Sequence, residues 1–221
     1  MKDTLIQSYD YNLPNEQIAE KPLNQREYSK LLHLDLVNRK THERQFSNLL
    51  EILNEGDLLI LNNTRVIPAR IHMIKDTGGK IEILFHKKLT DKKCEAIFSS
   101  SRSPKINSLL KINEKSVFKV LGIKDNILIL ESKSSENIFE IFEKYGEVPL
   151  PKYIKRPVTD SDKNQYQTVY AKLNGSVAAP TAGLHFTDDM IDNLIKKGVN
   201  IEFVTLHISY NTFKPISCDS F

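Results

Sequence analysis

Between Val66 and Leu130 the hydrophobic period of the chain changes from helical to two, and this change constrains the fold more than any other feature. Ile67 to Ile74, Lys80 to Phe85, Glu95 to Ser99, Leu109 to Ile112, Val117 to Leu121 and Ile127 to Leu130 read as about six short strands. Gly78-Gly79 and Asp125-Asn126 stand where tight hairpins need positive φ. Such a run predicts a small antiparallel barrel or sandwich. Helical and strand-like segments flank it on both sides. The economical architecture is therefore an α/β main domain, a mixed sheet with helices, interrupted by an inserted small antiparallel β-barrel. The expected divisions are 1–65 and 150–221 for the discontinuous α/β domain and 66–149 for the insert.

The flanking segments carry their own punctuation. Asn15 to Leu23 holds a helical turn or two, and Leu31 to Leu36 is a short apolar strand. Ser47 is expected to cap a helix whose Leu49, Leu50 and Leu53 share a face and whose end is marked by Gly56. Asp57 to Leu61 follows as a buried strand. A helix from Asn137 is closed by Gly146, and Pro149 and Pro151 hold the next stretch extended. Asp162 to Ala171 is helix-prone, Gly175 to Phe186 is a loop of small residues, and Thr187 caps a helix that ends at Gly198. Asp188 and Asp189 sit at the positive end of its dipole, and Phe186 is placed to staple onto Ile191. The last strand, Val199 to Ile208, is apolar on both faces.

Composition enters as a set of exclusions. No stretch approaches the roughly 18 to 20 apolar residues of a membrane helix, and MKDTLIQSYDYNLP has neither the run nor the cleavage site of a targeting peptide. A cytoplasmic protein without membrane partners is expected. Cys94 and Cys218 lack C-x-x-C spacing and read as free thiols. Nine basic residues against three acids between His86 and Lys119 make a local balance of +6 within a chain total of +3. That is either a landing surface for nucleic acid or a solvated lysine face, for lysine outnumbers arginine 24 to 7. Dinucleotide, P-loop, metalloprotease and nucleophile-elbow motifs are missing, as is any metal-ligand spacing, so no metal is expected.

Three segments are hard to explain by packing alone. In LNNTRVIPAR, Asn62, Asn63, Thr64 and Arg65 follow a buried strand directly, where α/β sheets tend to bind ligands; a locally bonded turn is the alternative. In GSVAAPTAGLHFT, small residues including Thr181 and Gly183 allow close backbone approach, and the Thr187 helix terminus favours an anion. His185 is the foremost acid or base there, because its unperturbed pKa lies near 6.5; a hydrogen-bonded structural histidine beside the helix cap is the alternative. His207, at the end of the last strand, is a weaker candidate. In YQTVY, Tyr166 and Gln167 suit stacking on and hydrogen bonding to a base; the alternative is an amphipathic helix that buries Tyr166, Val169 and Tyr170.

Taken together, YDYNLPNEQIAEKPL at 9–23, GDLLILNNTRVIPARI at 56–71, GGKIEIL at 78–84, VPLPKYI at 148–154, YQTVYAKLNGSVAAPTAGLHFT at 166–187 and FVTLHISYNTFKPI at 203–216 closely resemble the S-adenosylmethionine:tRNA ribosyltransferase-isomerase family of queuosine biosynthesis. The resemblance runs nearly end to end. It implies an α/β domain with an inserted β-barrel. It also implies transfer and isomerisation of the ribosyl part of S-adenosylmethionine onto the aminomethyl-7-deazaguanine at the wobble position of a tRNA with a GUN anticodon. Epoxyqueuosine forms while adenine and methionine leave. S-adenosylmethionine is then a substrate, no cofactor or metal is called for, and a complete chain is a monomer. For the matching residues it suggests His185 as the base, the Thr187 terminus for the methionine carboxylate, and Asn62 or Arg65 for ribose or adenine. Family members continue past TFKPI, so a fragment or a naturally shortened copy is expected. The alternative function is a remnant that binds tRNA without turnover.

Overall fold

A computed structural model describes residues 4–213 apart from 152, together with 216, 218 and 219. Lys152 of the VPLPKYI segment and Lys214 and Pro215 of the last segment lie outside the described residues. The elements, in chain order, are β1 (Lys30–Asp35), β2 (Lys40–Gln45), α1 (Leu49–Ile52), β3 (Leu58–Asn62), β4 (Thr64–Val66), β5 (Arg70–Lys75), β6 (Lys80–Lys88), β7 (Lys93–Ser99), β8 (Leu109–Ile112), β9 (Lys115–Lys124), β10 (Ile127–Ser132), α2 (Ile138–Tyr145), α3 (Asp162–Gln165), β11 (Leu173–Ser176), α4 (Asp188–Lys196) and β12 (Asn200–Val204). The fold is an α/β body with a small inserted antiparallel barrel.

The six period-two segments become β5 to β10, closed into a barrel in the order β10-β7-β6-β5-β8-β9. Its hairpin turns use Gly78 at φ +84° and Asp125 at φ +53°. Ile83, Leu110, Phe118, Val120, Leu128 and Leu130 are wholly buried in its core. Each contributes about 1.5–3 kcal/mol relative to an exposed side chain. Helix α2 packs on that core through Ile138, Ile141 and Phe142, whose ring stands edge-on to Phe85 at 5.4 Å. Its first turn is closed by a capping box between Asn137 and Glu140, the side chain of each accepting from the other's backbone N–H.

The α/β body contains the β1–β2 hairpin and two parallel pairs, β3 with β12 and β4 with β11. Leu59 pairs with Ile201 and Leu61 with Phe203 in register. Phe46, Leu61, Phe186, Met190, Leu194 and Val199 form its core, with Ile191 packed against it. Helix α4 begins as its sequence predicts: Thr187 Oγ1 accepts from Met190 N at 3.2 Å, and Gly198 ends the helix at φ +90°. Cys94 is buried, Cys218 exposed, and neither is in a disulfide. Among the described residues no helix is long and apolar enough to cross a membrane.

Four local expectations change, and one strand is unannounced. Strand β3 is not covered on both faces: Leu58 and Ile60 are each 58% exposed, and Leu61 is its one buried residue. Ser47 does not cap α1; it lies inside a 3₁₀ turn, Phe46–Asn48, whose start is closed by Asn48 Oδ1 accepting from Gln45 N at 2.9 Å. The helix expected over Asp162–Ala171 is the single turn α3, because Gln167 leaves it to bond both backbone groups of Val66. The last strand stops at Val204, since beyond it the amide of Asn62 takes the place of a neighbouring strand and bonds both backbone groups of Leu206. Strand β2, KTHERQ, has no apolar pattern to announce it and forms by pairing with β1.

Candidate active site

A cleft opens where the Ala19–Arg26 segment meets the stretch around Leu150–Arg156 and the 3₁₀ turn Thr181–His185. It consists of two adjoining cavities of about 290 and 340 Å³, and Ala19, Lys21, Pro22, Gln165, Leu184 and His185 line both. Leu150, Pro151, Ile154 and Leu184 make the larger part of the first cavity's wall apolar. Thr181 and Tyr166 also face it.

His185 sits at the junction. Its ring is half-buried, tilted against Phe46 at 5.2 Å, and hydrogen-bonded to the Arg26 backbone. Burial pushes its pKa below the ordinary 6.5, so the neutral ring prevails at pH 7. A neutral imidazole in a half-enclosed, largely apolar cleft is equipped to accept a proton.

The N-terminal wall of the cleft is held by charge. Arg156 and Asp162 form a bidentate pair at 2.8 and 2.7 Å, and Thr159 adds bonds to Asp162 from both its backbone N–H and its hydroxyl. Asp162 is 2% exposed, and the guanidinium beside it holds its carboxyl down at about 2. Arg156 Nε also donates to Glu20 O at 2.8 Å, which fastens the Ala19–Pro22 wall. Arg26 Nη1 donates to Gln167 O at 3.2 Å, tying the same segment to the YQTVY stretch. Sequence reasoning missed Arg26, Arg156 and Asp162 as parts of this region; the only local signal was an Arg just before Pro157 and an Asp five residues after it.

The remaining predicted residues sit elsewhere or are engaged in holding the backbone. Tyr166 bonds the Ala179 backbone, and burial raises its phenol to about 12. Gln167 bridges Val66, and Asn62 bridges Leu206. Gly183 is buried, and the position needs glycine because a Cβ there would stand 2.1 Å from Tyr170 Oη. Thr187 caps α4, whose first turn carries Asp188 and Asp189. Arg65 is exposed and has no ion pair among the described residues; it lines a smaller hollow of about 130 Å³ beside Tyr166 and Gln167. Thr64 is fully buried and bonds His207 Nδ1 at 2.7 Å, away from His185. The structure therefore gathers His185, Tyr166 and Thr181 at one cleft, and Thr64 and His207 at another place. No group of His, Cys, Asp and Glu able to hold a metal occurs among the described residues.

Comparison with known proteins gives this geometry a context. Residues 6–221 match the family described as queuosine biosynthesis protein. Among solved structures, the chain is similar to an S-adenosylmethionine tRNA ribosyltransferase from Thermotoga maritima, with 31% identity over 90% of this chain and 58% of that one and a TM-score of 0.37. The chain thus spans less than two thirds of that protein's length.

Proposed function

This chain belongs to the queuosine biosynthesis protein family, and from that premise we propose that it transfers and isomerises the ribosyl group of S-adenosylmethionine onto aminomethyl-7-deazaguanine at the wobble position of a GUN-anticodon tRNA. Epoxyqueuosine is the product; adenine and methionine leave. The donor is a substrate, the reaction calls on no resident cofactor or metal, and its setting is the cytoplasm.

The observation that carries this reading is a neutral, half-buried histidine at the junction of two cavities in a chain that matches the family from residue 6 to residue 221. The apolar wall of Leu150, Pro151, Ile154 and Leu184 suits the flat, weakly hydrated surface of a nucleoside. A sulfonium acidifies the protons on its neighbouring C5′ carbon, and His185 accepts one of them. Thr181 and Tyr166 line the same wall and position the donor. Arg65, exposed and without an ion pair among the described residues, is one group available to the donor's carboxylate, because the Asn62 and Gln167 amides are bonded to backbone and the start of α4 already carries two carboxylates.

Calorimetric titration with S-adenosylmethionine tests the assignment of the cleft. The wild-type chain should bind the donor, and Leu184→Arg, which places a charge against the apolar wall, should abolish that binding without a change in far-UV circular dichroism. Equal binding by both proteins would move the donor site away from this cleft, and no binding by either would contradict the reading itself.

A further inference from the structure

A second groove, about 330 Å³ in volume, runs between the barrel and the α/β body, with His86, Lys87 and Lys88 of β6 on one side and Gly175 and His207 on the other. Three independent features of the fold make it a place prepared for a ligand. The first is a bulge. The register between β6 and β7 slips between Phe85 and Lys87, so His86 is the extra residue; bulges of this kind re-aim a side chain. His86 Nδ1 is buried and has no hydrogen-bond partner among the described residues. A buried polar nitrogen without a partner is uncommon in a settled core.

The second feature fixes the hydrogen on His207. The Thr64 hydroxyl is fully buried, and His207 Nδ1 at 2.7 Å is its one hydrogen-bond partner among the described residues. A buried hydroxyl proton goes to an acceptor, so Thr64 donates to Nδ1 and the other ring nitrogen, Nε2, carries the N–H. Gly175 holds the ring in place: it stands at φ +149°, and a Cβ there would lie 2.8 Å from the ring. His207 is thereby set as a hydrogen-bond donor and not as a base.

The third feature is charge. Of the neighbouring lysines, Lys92 donates to the carbonyls of Ser134, Ser135 and Glu136, Lys93 pairs with Glu131 at 3.4 Å, and Lys88 is held by Asp91 at 2.6 Å and lies over the Phe139 ring. Lys87 is exposed and makes no ion pair among the described residues, even with Glu95 across the strand pair. The groove thus presents one uncommitted ammonium and a fixed N–H.

We propose that this groove binds a phosphate of the RNA backbone, with Lys87 and His207 Nε2 donating to its oxygens and His86 at its edge. The proposal rests on the reading of RNA as a substrate, and it assigns the groove a positioning role apart from the His185 cleft. It also divides the basic stretch from His86 to Lys119: Lys87 meets the RNA, while Lys92 and Lys93 serve the fold.

The test uses the 221-residue chain and an unmodified GUN-anticodon tRNA transcript. Filter binding is measured across a salt series for wild type, Lys87→Gln, His207→Gln and Lys92→Gln. Lys87→Gln and His207→Gln should each weaken binding by about fivefold, the effect of one lost hydrogen bond. Lys87→Gln should also flatten the salt slope by about 0.7 to 0.9. Lys92→Gln should lower the melting temperature and leave the salt slope of the folded protein alone. If wild type binds the transcript and Lys87→Gln and His207→Gln match it in affinity and slope, the groove assignment is overturned while the functional reading stands. Tight binding of AMP, unaffected by competing transcript, would likewise overturn it in favour of a free nucleotide. No binding of the transcript by wild type would overturn both.

Discussion

Thr64 and His207, 143 residues apart in the chain, meet at 2.7 Å with the Thr64 side chain fully buried. Around this contact Asn62 bonds both backbone groups of Leu206, and Ser176 Oγ accepts from Ile208 N at 2.9 Å. Strand β3, the start of β4, the end of β11 and the stretch after β12 are locked by side chains where a wider sheet would use backbone ladders. Thr64→Val keeps the shape and removes the hydroxyl, leaving His207 Nδ1 without its donor. It should lower unfolding stability by about 1–2 kcal/mol, read as a lower urea midpoint at unchanged m-value. An unchanged midpoint would mean that the bond contributes nothing to the interlock.

Gly175→Ala should be more damaging, because the position combines φ +149° with a ring 2.8 Å from any added Cβ. Strain of this kind costs about 1–3 kcal/mol before the clash is added. Combined with His207→Ala the loss should fall short of the sum of the two single losses, since the smaller residue removes the clash. Additive losses in a double-mutant cycle would show that the ring and the glycine are not coupled.

The pH dependence of His185 has a definite sign. Burial lowers its folded-state pKa below 6.5, so in acid the unfolded chain takes up a proton before the folded one does. The stability it contributes is complete above about pH 6.5 and is lost as pH falls toward the folded-state value. His185→Gln should therefore be less sensitive than wild type to a drop from pH 7 to pH 5 in thermal unfolding. Parallel curves for the two proteins would contradict the burial of the ring.

Asp162 works in a different window. Its carboxyl is held at about 2, mainly by Arg156, so its stabilising effect is present above the ordinary value of 3.8 and disappears as pH falls toward 2. Asp162→Asn should remove that acid-side loss and lower stability at pH 7 by about 1–3 kcal/mol, the cost of taking a charged partner from a buried hydrogen-bonded group. Because Arg156 also holds Glu20, the same variant should raise proteolytic cutting near residues 19–22.

The barrel was legible in the sequence because period-two alternation and hairpin turn residues report directly on a two-sided strand. Strand β2 was not: KTHERQ is polar throughout, and its strand character comes from pairing with β1. The Thr187 cap could be read because capping is local, whereas Ser47 misled because Asn48, one residue on, reaches back to Gln45. The small-residue loop pointed to His185, and the structure places that residue at the junction of two cavities. Arg26 and its bond to Gln167, across 141 positions, left no local trace. An amide that clamps backbone, as Gln167 and Asn62 do, has the same sequence appearance as one that binds a ligand. Only its partners tell the two apart.

Ribosyl transfer itself is the most direct test of the account. The 221-residue chain and His185→Ala are each incubated with S-adenosylmethionine labelled in the ribose and with tRNA bearing aminomethyl-7-deazaguanine, and label entering the tRNA is followed against time. The wild-type chain should transfer label with release of adenine, and the variant should bind the donor but transfer it about 10² to 10⁴ times more slowly. Transfer at the wild-type rate by His185→Ala, or no transfer by the wild-type chain, would contradict the account.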